Sequence, residues 1–245
     1  MSINHVLLDI EGTTCPASFV SEILFPFARK SLSGFIARNQ EESDVRNILI
    51  AAQHEWDKDN SEASTKLRKE HTSRNNETHA GVTEYLLHLT KIDNKSTALK
   101  DLQGMIWLMG YQQGELKAEI FPETAACFQS WTRKNLLLSS YSSGSIQAQK
   151  LLYQNTDCGD LSSTINEWFD THTGKKVVSL SYTKISQKLM APPQEILFIS
   201  DSSKECDAAR EAGMRTLFSL RNGNPDQDPQ GHTIIRNLTE VELHL

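Results

Sequence analysis

The sequence of 245 residues has few of the features that mark membrane, secreted or nucleic-acid-binding proteins. It contains no run of about 18 apolar residues and no recognisable signal peptide, so we expect neither a membrane-spanning helix nor secretion. The four cysteines, at positions 15, 127, 158 and 206, form no CxxC pair, which argues against a zinc site and favours free thiols. Lys and Arg number 25 against 31 Asp and Glu, so nucleic acid and anionic membranes are not favoured partners. We expect a cytoplasmic globular protein.

The second half of the chain alternates short apolar runs with helical patterns. The apolar runs are NLLLSSY, EILFIS, RTLFSL and HTIIRN, and the helical patterns between them are SIQAQKLLY, SLSYTKISQKL and ECDAAREAG. One further apolar run, at residues 6–8, stands alone near the start of the chain. Strands that alternate with helices predict an α/β fold with a parallel sheet covered on both faces.

About a hundred residues with helical spacing separate the first predicted strand from the others. Apolar stripes predict helices at residues 23–36, 45–56, 82–89 and 96–110. Ser43 and Ser96 are the expected caps of two of these helices. Residues 57–79 are almost wholly polar and predict an exposed helix or a mobile connection. We therefore predict a catalytic core from residues 1–16 and 118–245 and a helical insert over residues 17–117.

Polar side chains follow the predicted strands at the points where the strands end. Asp9 and Glu11 follow the first strand, the residues Ser142, Ser143 and Gly144 follow the second, and Asp201 follows EILFIS. The segment FDTHTGKK, which lies between the last two, ends in two lysines. Because ligands of open parallel sheets bind beyond the carboxyl ends of the strands, we expect these groups to share one site.

These residue types suit phosphoryl transfer. Asp9 could attack phosphorus as a nucleophile, and Glu11 could protonate the leaving oxygen and then activate water. Asp9 and Asp201 offer the oxygen ligands that Mg²⁺ prefers, and Glu205 could anchor the water shell of that metal. The Ser142 hydroxyl and the backbone amides of its turn, at the start of a helix, suit a phosphate oxygen. A lysine would hold the phosphate against the carboxylates.

Each of these segments also has a purely structural explanation. Asp9 and Glu11 could form a capped turn, SSGS could simply start a helix, and Asp201 could be an N-cap. Lysines are surface residues by default. Four ordered segments, each near a predicted strand end, are nevertheless hard to explain as separate structural accidents.

The order of these segments resembles the haloacid dehalogenase superfamily, whose pattern is Asp-x-acid-Gly-Thr, then Ser, then Lys, then Asp. Most phosphatases of that superfamily carry Asp at the second acid position, where this chain has Glu11. The stretches LLDIEGTT, YSSGSIQAQKLLY and FDTHTGKK are similar to the enolase-phosphatase family of methionine salvage, the acireductone synthases. The matches run from Val6 to about Gly223. The resemblance implies a Rossmann-like core with a helical cap inserted after the first strand.

The resemblance also implies a reaction and its residues. The family enolises 2,3-diketo-5-methylthiopentyl-1-phosphate and then removes its phosphate through an aspartyl-phosphate, which gives the acireductone, with Mg²⁺ as cofactor. By motif position the catalytic residues are Asp9, Glu11 and Lys176, the substrate-binding residues are Ser142, Ser143, Gly144 and Lys176, and the metal ligands are Asp9, Glu11 and Asp201. Lys176 fits the motif spacing better than Lys175. We expect a small-molecule phosphate as substrate, no nucleic-acid or membrane partner, and a monomer.

Two other functions remain open at this point. One is a general sugar- or metabolite-phosphate phosphatase of the same superfamily, and the other is a non-catalytic scaffold that kept the fold. The chain departs from the family at Cys206, where leucine is usual, and we interpret this as a packing change. The extra methylene of Glu11 could suit a base that takes a proton from carbon as well as serving the phosphoryl step. The pattern assigns no residue to the enolisation itself.

Overall fold

The computed structural model describes residues 2–74, 78–92, 94 and 96–245, with residues 72–74 and 78 described by their backbone alone. The chain divides into two compact units. An α/β unit comprises Met1–Ser21 and Lys117–Leu245, and a helical unit comprises Glu22–Leu116. The roles of catalytic core and cap that we assigned to residues 1–16 with 118–245 and to residues 17–117 stay predictions.

The helical unit contains five described α-helices: α1 (Phe25–Asn39), α2 (Ser43–Lys58), α3 (Glu62–Arg74), α4 (Thr78–Lys91) and α5 (Thr97–Gln112). The predicted apolar stripes form its core, in which Leu32, Leu49, Leu86 and Leu102 are almost completely buried. Burying such a stripe is the main source of stability for helices of this length. A π-helical turn, Phe19–Leu24, precedes α1.

The predicted helix caps have different outcomes. Ser96 is the N-cap of α5, and its hydroxyl accepts a hydrogen bond from the amide of Leu99 at 3.1 Å. Ser43 is not a cap, because α2 already begins at this residue and Glu42 occupies the N-cap position without a side-chain bond. Most of residues 57–79 is helical where described, since α3 occupies much of it, and residues 75–77 lie outside the described part.

The α/β unit is built on a parallel sheet. Its described strands are β1 (His5–Leu8), β2 (Leu137–Tyr141), β3 (Glu167–Phe169), β4 (Ile196–Ser200), β5 (Arg215–Ser219) and β6 (Ile234–Ile235). Their order is β3-β2-β1-β4-β5-β6, the doubly wound order that reverses direction beside the first strand. The predicted α/β class is therefore confirmed.

Register places the ends of three strands side by side. Leu8 of β1 pairs with Ser140 of β2 on one side and with Ile199 of β4 on the other. Asp9 is therefore level with the last residues of both neighbours, Tyr141 and Ser200. Because adjacent strands are about 5 Å apart, side chains that follow these positions can meet.

Helices cover the sheet. The α/β unit contains α6 (Thr124–Arg133), α7 (Ile146–Gln154), α8 (Ser179–Leu189) and α9 (Ser203–Glu211), with short 3₁₀ turns at Ser162–Thr164, Pro193–Glu195 and Leu238–Leu243. Val6, Leu7 and Leu8 have no exposed surface, so both faces of β1 are buried. Across the described ranges no helix is both long and apolar enough to cross a membrane.

The sequence pattern did not predict two elements of this unit. Strand β3 is only three residues long and begins with a charged residue, so it offers too short an apolar run to stand out. Helix α6 was also missed, although Cys127, Phe128 and Trp131 are buried at helical spacing along it.

Candidate active site

The chain leaves β1 through a turn that only glycine can make. The amide of Asp9 continues the ladder to the carbonyl of Ile199 at 2.9 Å, and Gly12 then adopts φ +67°. A β-carbon at Gly12 would overlap the Asp201 carboxyl group. Glycine is therefore required both for the left-handed backbone and for the close approach of Asp201. The turn thus places the Asp201 carboxyl against the backbone that follows Asp9, and the charge of Asp9 acts on Asp201 by raising its pKa.

A buried lysine joins two carboxylates at the carboxyl edge of the sheet. The Lys176 Nζ atom lies 2.5 Å from Oδ1 of Asp9 and 2.7 Å from Oε2 of Glu205. The three side chains expose only 10%, 8% and 15% of their surface. Glu205 pairs directly with Lys176, and its role as an anchor for the water shell of a metal stays a prediction.

Hydroxyl groups fix the backbone that carries this lysine. The Tyr182 hydroxyl donates to the carbonyl of Lys176 at 2.7 Å, and Ser181 Oγ donates to that of Lys175 at 2.8 Å. The Tyr141 hydroxyl donates to the carbonyl of Gly174 at 2.9 Å. Residues of β2 and α8 thus hold the loop so that Lys176 points into the site while Lys175 is exposed.

The pattern missed Ser200, a buried hydroxyl in the same cluster. Its Oγ lies 2.8 Å from Oε2 of Glu205 and 3.2 Å from Oδ2 of Asp9, and it accepts a bond from the amide of Ser202 at 3.2 Å. Strand register carried the signal that could have identified it, because Ser200 is the residue of β4 level with Asp9.

The charges of this cluster do not balance. Burial works against the charged form of Lys176, but Asp9 and Glu205 outweigh it and raise the pKa of the ammonium. Burial, reinforced by Asp9 and Glu205, raises the pKa of Asp201 to about 8, and burial also raises the pKa of Glu205. Three carboxyl groups therefore share one ammonium, more acidic groups than Lys176 can balance, so Asp201 keeps a proton near neutral pH and a bound cation would replace it.

The turn after β2 is held by its own hydrogen bonds. The amide of Ser142 donates to the carbonyl of Phe169 at 3.2 Å, and the amide of Gly144 donates to Ser142 Oγ at 3.1 Å. Ser145 caps α7 by accepting from the amide of Ala148. Because Ser142 Oγ accepts the Gly144 bond, its own hydrogen remains to be donated to a ligand. Ser143 is exposed.

A model of the haloacid dehalogenase-like hydrolases matches residues 3–213. The chain is 54% identical to enolase-phosphatase E1 of Parasynechococcus marenigrum (strain WH8102) over the full length of both proteins. It is 52% identical to enolase-phosphatase E1 of Synechococcus sp. (strain CC9605), over all of this chain and 98% of that one. The chain belongs to the enolase-phosphatase E1 family of haloacid dehalogenase-like hydrolases.

A solved structure agrees with this membership. The UTR4 protein of Saccharomyces cerevisiae superposes with a TM-score of 0.76 at 32% identity, over 96% of this chain and 98% of that one. The resemblance predicted from LLDIEGTT and the later motifs is thus confirmed at the level of the family. This membership makes the chain an enzyme, and the strand-end cluster is its candidate active site.

Enzymes of this family generally need a divalent metal ion, and the donors present fit one. Within the described residues no three His, Cys, Asp or Glu side chains are arranged as a complete metal cage. A hard cation such as Mg²⁺ does not require one, because it is usually bound by one or two carboxylates together with water and substrate phosphate. Asp9 and Asp201, in a cluster with more acidic groups than Lys176 can balance, supply such a pair.

Proposed function

We propose that this member of the enolase-phosphatase E1 family converts 2,3-diketo-5-methylthiopentyl-1-phosphate to the acireductone. The reaction would consist of enolisation followed by phosphate hydrolysis through an aspartyl-phosphate. The observation that carries the proposal is the placement of Lys176 Nζ 2.5 Å from Oδ1 of Asp9, at the edge of the sheet where Asp201 approaches Gly12. The names of the full-length relatives support the substrate class.

Asp9 is the nucleophile in this proposal. One of its carboxylate oxygens bonds to phosphorus while the bond from phosphorus to the substrate oxygen breaks, and Glu11 gives a proton to that leaving oxygen. Glu11 then takes a proton from water, which attacks phosphorus and releases Asp9 and inorganic phosphate. The amide of Ile10 donates to Oδ1 of Asp9 at 2.8 Å, so two donors, this amide and Lys176, fix the orientation of the carboxylate.

Lys176 and the turn after β2 bind the phosphoryl group. The ammonium of Lys176 lowers the repulsion between the Asp9 carboxylate and an incoming phosphate anion. The hydroxyl of Ser142 donates to a phosphate oxygen, and Ser143 and Gly144 complete this side of the site. Because two ends of this turn are already tied to Phe169 and to Ser142 Oγ, the turn is ordered before the substrate arrives.

Mg²⁺ is the metal we propose. Asp9 and Asp201 are its paired carboxylates, and Glu11 is the third ligand that the motif predicts, although the described residues hold no preformed group of three acidic ligands. When bound, Mg²⁺ would supply positive charge for the phosphate oxygens and polarise the carbonyl or enolate oxygen of the substrate. The carboxylates contribute the oxygen donors, and the bound cation would replace the proton that Asp201 keeps. We also keep as proposals the helical unit as cap, a monomeric state, a cytoplasmic location and the absence of nucleic-acid and membrane partners.

The test follows both halves of the reaction. Purified protein is incubated with the diketone phosphate and Mg²⁺, and enol formation and phosphate release are recorded in parallel. We expect an enol intermediate that precedes phosphate release. Phosphate release without an enol, together with equal rates on a panel of sugar phosphates, would instead indicate a general phosphatase. An Asp9→Asn variant with unchanged activity would exclude the aspartyl-phosphate route.

A further inference from the structure

Two buried side-chain amides hold the loops of the candidate site from opposite sides. The Nε2 group of Gln149 donates to the carbonyls of Gly144 at 2.9 Å and Phe169 at 2.8 Å. The Nδ2 group of Asn224 donates to the carbonyls of Gly12 at 2.9 Å and Ser219 at 3.0 Å. Each amide therefore uses both of its hydrogens on backbone carbonyls.

The two arrangements share one geometry. Phe169 is the last residue of β3 and Ser219 is the last residue of β5, the strands that flank the central β2, β1 and β4. The other carbonyl in each pair belongs to a loop of the site: the turn after β2 in one case and the Gly12 turn after β1 in the other. Each amide thus ties a site loop to the end of a flanking strand.

Both side chains are buried, so the hydrogen bonds that they donate are not readily replaced by water. Gln149 exposes 2% of its surface and Asn224 exposes 6%. Within the described residues Oε1 of Gln149 has no hydrogen-bond partner, and turning the amide over would place that oxygen against two carbonyls. Ser219 Oγ donates a second bond, at 2.9 Å, to the same Gly12 carbonyl. The loops are therefore held by the N–H groups of the two amides, and a side chain of the same shape without these donors would not replace them.

We propose that Gln149 and Asn224 are positioning residues of the active site, one for the phosphate-binding turn and one for the turn that follows the nucleophile. This inference rests on the proposed function. Gln149 acts on Ser142 through Gly144 and Phe169, both of which bond to the Ser142 turn. Asn224 acts on the Gly12 turn, against which its Oδ1 and the carboxyl of Asp201 both pack.

Different positions predict different kinetic signatures. In Gln149→Glu a carboxylate oxygen replaces the donor, so the turn after β2 is released. We expect KM for the diketone phosphate and the inhibition constant of inorganic phosphate to rise about tenfold, which is within the range expected for the two hydrogen bonds that the Nε2 group makes, with kcat changed far less. In Asn224→Asp we expect kcat to fall about tenfold while phosphate affinity stays unchanged, because the loop of the nucleophile moves instead.

A matched control separates positioning from general damage. Asn155→Asp makes the same chemical change at the end of α7, where Nδ2 of Asn155 donates to the carbonyl of Leu151 at 2.8 Å, away from both turns. We expect this variant to lose stability without either kinetic signature. Titration calorimetry with inorganic phosphate at fixed Mg²⁺ gives a binding measurement that does not depend on turnover.

The outcomes are distinguishable. Wild-type kinetics in a folded Gln149→Glu or Asn224→Asp protein would overturn the proposal. So would a variant that, like Asn155→Asp, loses stability without the expected change in KM or kcat. If a charged variant does not fold, Gln149→Met and Asn224→Ala remove the same donors without adding a charge, and the same signatures are expected. A wild-type protein that neither hydrolyses the diketone phosphate nor binds phosphate would overturn the proposed function itself, before any variant is compared.

Discussion

The ammonium of Lys176 lies 2.5 Å from a carboxylate oxygen of Asp9, although 167 positions separate the two residues in the sequence. The same nitrogen lies 2.7 Å from Glu205. All three side chains are largely removed from water, so each charge depends on the others. A buried ion pair of this kind rarely adds stability over an apolar core of similar volume, so its presence is weak evidence for a purely structural role.

Lys176→Met should damage both stability and activity. Removing one partner of a buried ion pair leaves the other charges unpaired, which lowers the free energy of unfolding by roughly 3–5 kcal/mol. If Asp9 is the nucleophile, as proposed, the loss of the positive charge beside it should lower kcat by about 100-fold or more. Urea unfolding and phosphate-release assays measure the two effects.

Lys175→Met provides the control for this prediction. Lys175 is exposed, so the same change one residue earlier should alter the free energy of unfolding by less than about 0.5 kcal/mol. Similar losses in the two variants would show that the position of Lys176 in the site is not responsible.

Gly12→Ala should abolish the approach of Asp201. The variant introduces backbone strain at φ +67° and also places a methyl group where the Asp201 carboxyl lies and 2.7 Å from Oδ1 of Asn224. We expect loss of activity and weaker Mg²⁺ binding, measured by steady-state kinetics and calorimetry.

Gly231→Ala is the control that separates the backbone strain of Gly12→Ala from its overlap with the Asp201 carboxyl. Gly231 has a similar φ of +79°, but apart from its own chain neighbours no described residue has an atom within 4 Å of the position of its added β-carbon. Backbone strain alone should cost about 1–2 kcal/mol of stability without changing activity or metal affinity. If Gly231→Ala lost activity as Gly12→Ala is expected to, strain rather than the displaced carboxylate would be the cause.

The expectation that ligands bind beyond the carboxyl ends of parallel strands was informative because it depends only on topology. Once the apolar runs are recognised as parallel strands, Asp9 and Asp201 are expected at the same edge of the sheet. The structure makes β1 and β4 neighbours and places the Asp201 carboxyl against Gly12. Motif spacing favours Lys176 over Lys175, and in the structure the Lys176 side chain is largely removed from water whereas Lys175 is exposed. The roles of these residues in catalysis stay predictions.

Residues that act through the backbone carry no comparable sequence signal. Gln149 and Asn224 bond to carbonyls whose positions depend on how two loops fold, and neither residue lies at a strand end or in a charge pattern. Ser200 looks like an ordinary strand residue until register sets it beside Asp9. Gln149 and Asn224 become recognisable only when the hydrogen-bond partners of the loops are known, and Ser200 only when the strand register is known.

The metal-free protein should lose stability as pH rises through the weakly acidic range. Burial and neighbouring carboxylates raise the pKa of Asp201 to about 8, whereas an unfolded chain has an Asp pKa near 3.9. Between about pH 4 and 8 the folded state therefore holds a proton that the unfolded state has released. The free energy of unfolding then falls with pH by at most about 1.4 kcal/mol per unit for this one proton.

Urea unfolding in the presence of a chelator, from pH 4 to 8, measures this slope. Asp201→Asn should flatten the slope to the smaller contribution of Glu205, whose pKa is also raised. Added Mg²⁺ should flatten it in the wild type, because a bound cation favours the ionised carboxylate. A wild-type slope that Asp201→Asn leaves unchanged would show that another group holds the proton.

Glu11→Asp tests the role of the extra methylene at the second acid position, where the sequence pattern of most phosphatases of the superfamily has aspartate. Glu11 is half-buried, and its charge contributes to the raised pKa of Asp201, so it belongs to the same electrostatic cluster. An aspartate at this position suits phosphoryl transfer in most phosphatases of the superfamily. We therefore expect Glu11→Asp to keep phosphate release from a simple alkyl phosphate within about threefold, less than a fully lost hydrogen bond would cost.

Enol formation from the diketone phosphate should fall much further in the same variant. The shorter side chain draws the carboxylate back by one methylene, away from a proton on carbon, and proton transfer requires a distance near 3 Å. The ratio of the two rates, measured on one preparation, removes differences in folding and in metal content. An equal decrease of both rates would mean that the extra methylene serves the phosphoryl step alone, and the base for enolisation would then have to be another group of the site.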